Sequence, residues 1–317
     1  MKQIIATLQG KFESNNLDQE MGGKTMGEKI GMIGLGKMGL ALAHQMMKDE
    51  HELFGYDNDP ERMELFEAEG GTPLASSKIL AEKCNITFSI LLKPEHIEEN
   101  TTGPNGIVQA GKEGLIHVEM STMPPDFQIG LAKRLFGHGI EMLDAPISGS
   151  NNKVDDRTTT FMVGGKDDVF ERVRPILEPL ANATTHTGEV GSGATMKVVT
   201  NLYVNSVTAL MAEMVILGER AGLSHATMEE CLGAGSVKGA MWETMRPRFF
   251  NRDFAPRGAV EIFAKDMGIA INLAKEHGIN LQVVPAARKM FQRAEAAGWA
   301  KDDASRVLEV YEGKDRE

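Results

Sequence analysis

The segment Met32-Ile33-Gly34-Leu35-Gly36-Lys37-Met38-Gly39 carries three glycines in the pattern G-x-G-x-x-G. An apolar run leads into it, and residues 40–47 follow it as a predicted helix. In that context Gly34 permits a tight turn, Gly36 lets the backbone approach a pyrophosphate, and Gly39 lets helix pack on strand. The free N–H groups at the start of the helix point at the phosphates. The segment therefore predicts a dinucleotide-binding turn made by residues 34–39.

An acidic residue at the end of the next predicted strand supports this interpretation. Asp57 lies 18 residues after Gly39 (57 − 39), close to the roughly 20 at which a carboxylate binds the adenosine ribose. A carboxylate there accepts hydrogen bonds from both ribose hydroxyls and repels a 2′-phosphate. Arg62 is the only cation close to it in the sequence. The pattern therefore favours NAD over NADP as the cofactor.

Length, charge and cysteine content narrow the class of protein. A chain of 317 residues with 42% hydrophobic and 25% charged residues is typical of a soluble protein with two cores. A net charge of −11 argues against nucleic acid or an anionic membrane as a partner. The two cysteines have no metal-type spacing, which predicts a reducing, cytoplasmic location and no metal. No uninterrupted apolar run approaches the roughly 20 residues that span a bilayer.

The alternation of apolar and helical segments predicts two domains after an N-terminal extension. Residues 1–25 contain three acidic residues and little apolar sequence, and we expect a disordered extension there. Residues 26–190 alternate short strands with helices, which predicts a parallel α/β sheet of the Rossmann type. Residues 191–317 predict an all-helical domain. Its first helix, over residues 194–221, is apolar enough to be buried between domains or subunits, which favours a homo-oligomer.

The strand ends of the predicted sheet indicate where a ligand binds. Ligands of such sheets lie beyond the carboxyl ends of the strands. This rule places Leu92 and Lys93 at the end of one strand, and Ser121 and Thr122 at the end of another. We expect these residues, together with the segment after Asp144, to surround the cofactor.

A lysine and an asparagine stand one turn apart at the start of the long helix. Lys197 and Asn201 follow two glycines at positions i and i+4, which stacks both side chains on one face. A lysine on an apolar helix costs free energy unless its ammonium has a partner or a function. The alternative interpretation is a lysine that extends to solvent beside an asparagine with a local capping role. With a dinucleotide site upstream, the pair is a candidate catalytic constellation.

Four separated motifs, taken together, resemble those of the β-hydroxyacid dehydrogenase family, which includes 3-hydroxyisobutyrate dehydrogenase and tartronate semialdehyde reductase. The resemblance covers roughly residues 29–312. Its motifs are Gly34-Leu35-Gly36-Lys37-Met38-Gly39, Asp144-Ala145-Pro146-Ile147-Ser148-Gly149, the element from Gly191 to Asn201, and Lys265-Asp266-Met267-Gly268-Ile269-Ala270.

The resemblance implies a role for each matching residue. Lys197 would be the general acid/base for hydride transfer between a small 3-hydroxy acid and NAD, and Asn201 would orient the substrate. Ser121 and the pair Ser148-Gly149 would bind the substrate carboxylate. Lys265 would lie near the cofactor and close the cleft, with Asp266 as its structural partner. The apolar helix over residues 194–221 leads us to expect a homodimer or homotetramer.

One segment departs from the family pattern. Glycines and small residues between 150 and 159 are replaced by polar and charged ones, with Lys153 and Arg157 among them. One interpretation is a salt-bridged surface loop. The other is that Lys153 or Arg157 binds a second anionic group, such as a sulfonate or a second carboxylate. The sequence leaves both open, and with them the identity of the acid.

Two further functions stay open at this point. Imine reductases share the fold and the first motif but do not generally have the lysine at position 197. A non-catalytic NAD(H)-binding protein would explain the altered loop but not the intact lysine–asparagine pair.

Two aromatic residues, Trp242 and Phe254, either line the substrate pocket or pack in the core. Histidines without a partner at ligand spacing are expected to be structural or exposed, and they are His44, His51, His117 and His186.

Overall fold

The computed structural model describes residues 27–316, so the predicted extension over residues 1–25 lies outside the described residues. One sheet contains nine strands within this range. They are β1 (Lys29–Ile33), β2 (Glu52–Tyr56), β3 (Thr72–Pro73), β4 (Ile86–Ser89), β5 (Ile116–Glu119), β6 (Glu141–Asp144), β7 (Ile147–Ser148), β8 (Thr159–Gly164) and β9 (Ala181–Gly188).

The strand order is β3-β2-β1-β4-β5-β6-β8-β7, with β9 paired to β8. Strands β1 to β6 pair in parallel, whereas β8 runs antiparallel to both β6 and β7. The order of the first six strands is that of a Rossmann sheet, which confirms the predicted fold class. The strand order reverses between β1 and β4, which run parallel, and a dinucleotide binds at such a switch point.

Helices alternate with the strands up to Gly188, and helices joined by loops make up the rest of the described chain. Those of the first part are α1 (Lys37–Lys48), α2 (Pro60–Ala68), α3 (Ser77–Lys83), α4 (Pro94–Thr101), α5 (Pro125–Phe136), α6 (Asn151–Asp155) and α7 (Asp167–Leu177). Those of the second part are α8 (Ser192–Arg220), α9 (His225–Ala234), α10 (Ala240–Asn251), α11 (Val260–Glu276), α12 (Val283–Ala294) and α13 (Val307–Glu312).

Buried apolar side chains form separate cores in the two parts. Near-continuous apolar strands are buried on both faces, as a parallel sheet covered by helices requires. One cluster centred on Met32, Phe88 and Phe161 and another centred on Leu80 and Leu135 enclose the sheet. The helical part has its own core around Trp242, Phe249 and Phe291, onto which the buried side of α8 packs.

Helix α8 is long and apolar enough to cross a membrane by length and composition alone, although the sequence has no uninterrupted apolar run of that length. Its 29 residues include an 18-residue window with a mean hydropathy of 1.2, and 33% of that window is buried. A search for unbroken apolar runs misses this helix, because Lys197, Asn201 and Asn205 interrupt its sequence. Length and composition alone do not separate a spanning helix from a core helix. The polar residues at the start of α8 are part of the cleft described next.

Candidate active site

The glycine turn between β1 and α1 has the geometry that the sequence predicts. Gly34 adopts φ +90°, a left-handed conformation that favours glycine. A Cβ on Gly39 would lie 1.9 Å from the carbonyl oxygen of Gly34, so helix and strand meet with no room for a side chain. Gly36 precedes the first residue of α1, Lys37, and the N–H groups of that first turn are free for an anion.

The surroundings of Gly36 test whether a dinucleotide fits here. A Cβ placed on Gly36 would meet only one described atom within 4 Å, the Arg62 Nη1 atom at 3.8 Å. The space in front of this backbone is therefore open, whereas the space around Gly39 is filled. An open approach at the second glycine, next to a helix N-terminus, is what a pyrophosphate requires. The residues present fit the cofactor.

Asp57 lies at the end of β2 and fixes the turn from the other side. Its Oδ2 accepts a hydrogen bond from the Leu35 N–H at 2.7 Å, and its Oδ1 accepts one from the Asp59 N–H at 2.9 Å. The Arg62 guanidinium lies 3.5 Å from Asp57 and 3.2 Å from Asp59. Arg62 is thus shared between two carboxylates beside the position predicted for the ribose.

A cluster of polar side chains lies where α8 packs against α11. The Asn201 Nδ2 group donates to Asp266 Oδ2 at 2.7 Å. Lys265 Nζ lies 3.4 Å from Asp266 Oδ1, an oxygen that accepts no hydrogen bond from the described residues. Lys197 stands one turn before Asn201 and is partly buried, and the charges of Asp266 and Lys265 both act on it. The structure therefore brings Lys197, Asn201, Lys265 and Asp266 together.

Burial changes the proton affinity of this cluster. Burial lowers the pKa of the Lys197 ammonium below its ordinary value of 10.5; the Asp266 carboxylate opposes this change and Lys265 adds to it. Burial also raises the pKa of Asp266, against the two lysines. A lysine with a lowered pKa exchanges its proton nearer to neutral pH, which a general acid/base requires.

Lys265 also connects the helical part to the sheet. Its Nζ donates to the carbonyl oxygen of Thr122 at 3.0 Å. Thr122 follows β5, at the carboxyl edge of the sheet where the sequence predicts the cofactor. The predicted positions of Lys265 and Thr122 at one cleft are thus compatible with the structure, while their contacts with a cofactor stay predictions.

Asp144 docks the start of α8 onto the sheet. It ends β6, is fully buried, and accepts hydrogen bonds from the backbone N–H groups of Gly191 and Ala194 at 2.7 and 2.6 Å. Burial raises the pKa of Asp144 to about 7, whereas the two backbone donors act in the opposite direction. Because Lys197 lies one turn beyond Ala194, this carboxylate sets where Lys197 stands relative to the sheet.

Asp144→Ala is expected to lower the free energy of unfolding by about 2–4 kcal/mol, because it removes a helix cap and leaves two buried donors unpaired. Urea unfolding followed by circular dichroism measures this change. Asp126→Ala, at an exposed position in the first turn of α5, is the control and should stay within about 0.5 kcal/mol of the parent protein. Equal stability of the two variants would contradict the docking role.

A buried hydrogen-bond network, which the sequence analysis did not anticipate, lies under the loops after β4 and β5. His117 Nδ1 is 2.9 Å from Thr87 Oγ1, and its Nε2 is 3.1 Å from Ser89 Oγ. Ser89 donates to Glu119 Oε2 at 2.5 Å, and Glu119 Oε1 accepts the Ser121 N–H at 2.7 Å. His117 is therefore structural, as predicted. Polar residues at every second position of two paired apolar strands were the available signal.

The network holds Ser121 in place. The Ser121 hydroxyl oxygen accepts the Leu91 N–H at 2.8 Å, and the residue is 2% exposed. Leu92 and Lys93, next along that loop, are exposed at the carboxyl edge of the sheet. The predicted contacts of Ser121 with substrate, and of Leu92 and Lys93 with cofactor, stay predictions.

The contacts of Arg157 in the altered segment after β7 show whether this residue forms structural ion pairs or is available to bind a substrate. Arg157 donates to both carboxylate oxygens of Asp49, at 2.8 and 3.0 Å, and to Gln45 Oε1 and the Pro179 carbonyl oxygen. It therefore anchors the loop to the end of α1, and the hypothesis that Arg157 binds substrate is wrong. Lys153 is exposed.

Ser148 and Gly149 precede this loop, where Ser148 pairs with Thr160 and Gly149 adopts φ +134°.

Of the two candidate aromatic residues, Trp242 is 1% exposed and packs edge-on to Phe250, so it belongs to the helical core. Phe254 packs against the same core.

The Rossmann sheet and its glycine turn define an NAD(P)-binding protein. The sequence profile described as the NAD binding domain of 6-phosphogluconate dehydrogenase matches residues 29–188. The profile described as NAD-binding of NADP-dependent 3-hydroxyisobutyrate dehydrogenase matches residues 191–311. The chain belongs to the β-hydroxyacid dehydrogenase family.

Similar proteins agree on the class of reaction. The chain is 32% identical to 2-(hydroxymethyl)glutarate dehydrogenase of Eubacterium barkeri, over 90% of this chain and 95% of that protein. It is 29% identical to L-threonate dehydrogenase of Cupriavidus necator, over 91% and 97%. A crystal structure of 3-hydroxyisobutyrate dehydrogenase from Salmonella typhimurium superimposes with a TM-score of 0.82 at 27% identity, over 89% and 99%. The protein is a dehydrogenase of small hydroxy acids that uses NAD(P).

Proposed function

We propose that this dehydrogenase interconverts a small 3-hydroxy acid and its semialdehyde with NAD, and that Lys197 is its general acid/base. The observation that carries the proposal is the cluster of Lys197, Asn201 and the buried Asp266 beside Lys265, which bridges to the sheet. The relatives named for 2-(hydroxymethyl)glutarate and L-threonate support a small anionic substrate.

The residues of the cleft have separate tasks in this reaction. The nicotinamide, when bound, supplies the hydride acceptor for oxidation and the hydride donor for reduction. Lys197 Nζ takes the hydroxyl proton in oxidation and returns it to the forming alcohol in reduction. Asn201, held by Asp266, orients the substrate oxygen beside Lys197. Ser148 and Gly149 after β7, with Ser121 after β5, bind the carboxylate.

The experiment that tests the function follows absorbance at the NADH band with several acids. We expect turnover with a 3-hydroxy acid such as 3-hydroxyisobutyrate or 2-(hydroxymethyl)glutarate. Glycerate, L-threonate, 4-hydroxybutyrate and a hydroxy-sulfonate complete the panel. Turnover restricted to 4-hydroxybutyrate or to the sulfonate would contradict the 3-hydroxy acid assignment. No turnover with any acid, despite NADH binding, would contradict the proposed reaction itself.

Asp57→Asn is expected to lower the ratio of NAD to NADP activity by about 10-fold or more. The change removes the charge that repels a 2′-phosphate and releases Arg62 to bind one; like-charge contacts cost several kcal/mol, and about 1.4 kcal/mol corresponds to tenfold. The ratio of kcat/KM for the two cofactors measures it. Glu64→Gln, an exposed change of equal charge on α2, is the control and should leave the ratio unchanged. An unchanged ratio in Asp57→Asn would remove Asp57 as the determinant.

We also propose a cytoplasmic homodimer or homotetramer. Apolar side chains on the outward side of α8 are 43–72% exposed and recur at heptad-like spacing; they are Met196, Val199, Tyr203, Leu210 and Leu217. A groove of about 320 Å³ runs beside Tyr203 and Leu210. A second copy of the chain would cover this surface. A mass in solution of 34.6 kDa, that of one chain, would contradict the oligomer.

Two unpaired cysteines, Cys84 and Cys231, are compatible with the proposed cytoplasmic location.

A further inference from the structure

A polar cleft opens beside the loop that follows the predicted carboxylate-binding pair. Its volume is about 280 Å³. Ser150 and Asn151 line one wall, and Thr244, Arg248 and Arg257 line the other, where one carboxylate, Asp253, lies beside the two arginines. Ser150 is two residues after Ser148, so at most about 7 Å of chain separates them. The cleft is therefore close to the site at which one end of the substrate binds.

The side chains of this cleft have hydrogen-bonding capacity that the protein does not use. Ser150, Asn151 and Thr244 make no side-chain hydrogen bond to any residue within 27–316. Arg248 uses only Nη1, which donates to both oxygens of Asp303 at 3.1 and 3.2 Å. The Nε and Nη2 groups of Arg248 donate no hydrogen bond to any residue within 27–316. These donors are available to an oxygen-rich ligand.

The two arginines differ in how firmly they are held. Arg248 is fixed, because Asp303 is fully buried and also caps nearby backbone N–H groups. Arg257 pairs with Asp253 at 2.5 Å, and both side chains are exposed, at 37% and 44%. An exposed ion pair contributes little free energy, so Arg257 exchanges partners at small cost. A ligand carboxylate would thus meet one fixed and one adjustable guanidinium.

We infer that this cleft binds a second carboxylate, so that the substrate is a hydroxy diacid with one carboxylate at Ser148-Gly149 and the other at Arg257. This inference rests on the proposed function. A guanidinium donates two parallel hydrogen bonds to a carboxylate, and the hydroxyl and amide groups of Ser150 and Asn151 satisfy its remaining lone pairs. Arg257, in the helical part of the chain, thus takes the role of binding a second anionic group that the sequence offered for Arg157.

Calorimetric titration of the NAD-saturated protein tests the inference without any turnover. Glutarate and pentanoate have the same number of carbons and lack the reactive hydroxyl, but only glutarate has a second carboxylate. We expect glutarate to bind about 10- to 100-fold more tightly, since a hydrogen bond to a charged group contributes that factor. Arg257→Gln should reduce the preference to about threefold or less. Arg246→Gln, on α10 but outside the cleft, is the matched control and should retain it.

Three outcomes would overturn the inference. The first is equal binding of glutarate and pentanoate by the parent protein, and the second is a full glutarate preference in Arg257→Gln. The third is tighter binding of L-threonate than of glutarate by both the parent and Arg257→Gln. The third would assign the cleft to a polyhydroxy acid. Because neither probe ligand reacts, a glutarate preference in a protein that oxidises no acid would sustain the cleft and contradict the proposed reaction. Turnover of monoacids without a glutarate preference would do the reverse.

Discussion

Lys197→Ala is expected to lower kcat for hydroxy-acid oxidation by about 10²–10⁴-fold, the usual contribution of a positioned acid/base. NADH binding should change little, because the glycine turn and Asp57 lie on β1, α1 and β2 rather than on α8. Lys275→Ala, an exposed lysine on α11, is the control and should keep the parent kcat. Single-turnover absorbance and NADH fluorescence titration separate the two effects. Parent-like turnover in Lys197→Ala would remove the assignment.

The pH dependence of the parent enzyme gives a second readout for Lys197. Oxidation needs the neutral amine, so the rate rises with pH as Lys197 loses its proton. Because burial lowers the pKa of Lys197, the midpoint should fall below 10.5. Reduction needs the ammonium and should fall over the same interval. In Lys197→Ala this inflection should disappear from the residual rate, which loss of folding alone would not produce.

Gly36→Ala is expected to weaken NAD and NADH binding by about 10- to 100-fold while leaving the protein folded. The new Cβ meets no described atom closer than 3.8 Å, so the protein without cofactor accommodates it. It occupies the space that a pyrophosphate must enter, and inserting a methyl group into a tight contact costs about 1–3 kcal/mol. Fluorescence titration with NADH measures the affinity, and thermal unfolding without cofactor measures the fold.

Two other glycines provide the comparison for Gly36. Gly39→Ala should destabilise the protein itself, because its Cβ would lie 1.9 Å from the Gly34 carbonyl oxygen. Gly130→Ala, within α5, is the control for NADH affinity and should not destabilise the protein, since its Cβ meets only the Arg134 side chain at 3.7 Å. If Gly36→Ala bound NADH as the parent does, the pyrophosphate would not approach at this turn.

The parts of the fold that local sequence determines were predictable. The glycine spacing of residues 34–39 is tied to one turn geometry, and short apolar strands alternating with helices indicate a parallel sheet. The pair Lys197 and Asn201 could be placed on one helix face from its i, i+4 spacing. The position of Asp57 at the end of β2 was also predictable, because the number of residues between Gly39 and Asp57 is that of one strand–helix–strand unit.

The parts that depend on contacts between distant segments were not predictable. The structural role of Arg157 required knowing that Asp49 and Gln45 lie beside it, more than 100 residues earlier in the chain. Likewise, the pairing of Thr87 with His117 follows from the strand register and not from either strand alone. Charge and polarity in a loop are the same for a ligand site and a structural anchor. Only the partner distinguishes them.

The docking of α8 by Asp144 has a consequence for how substrate preference changes among such enzymes. In the proposed mechanism this carboxylate fixes Lys197 to the sheet, so the geometry of hydride and proton transfer is set without the turn around Arg257. By the inference drawn above, that turn is an independent module for selectivity. Laboratory evolution aimed at new acids should therefore accumulate its productive substitutions in residues 244–258, while positions 144 and 191–201 stay invariant.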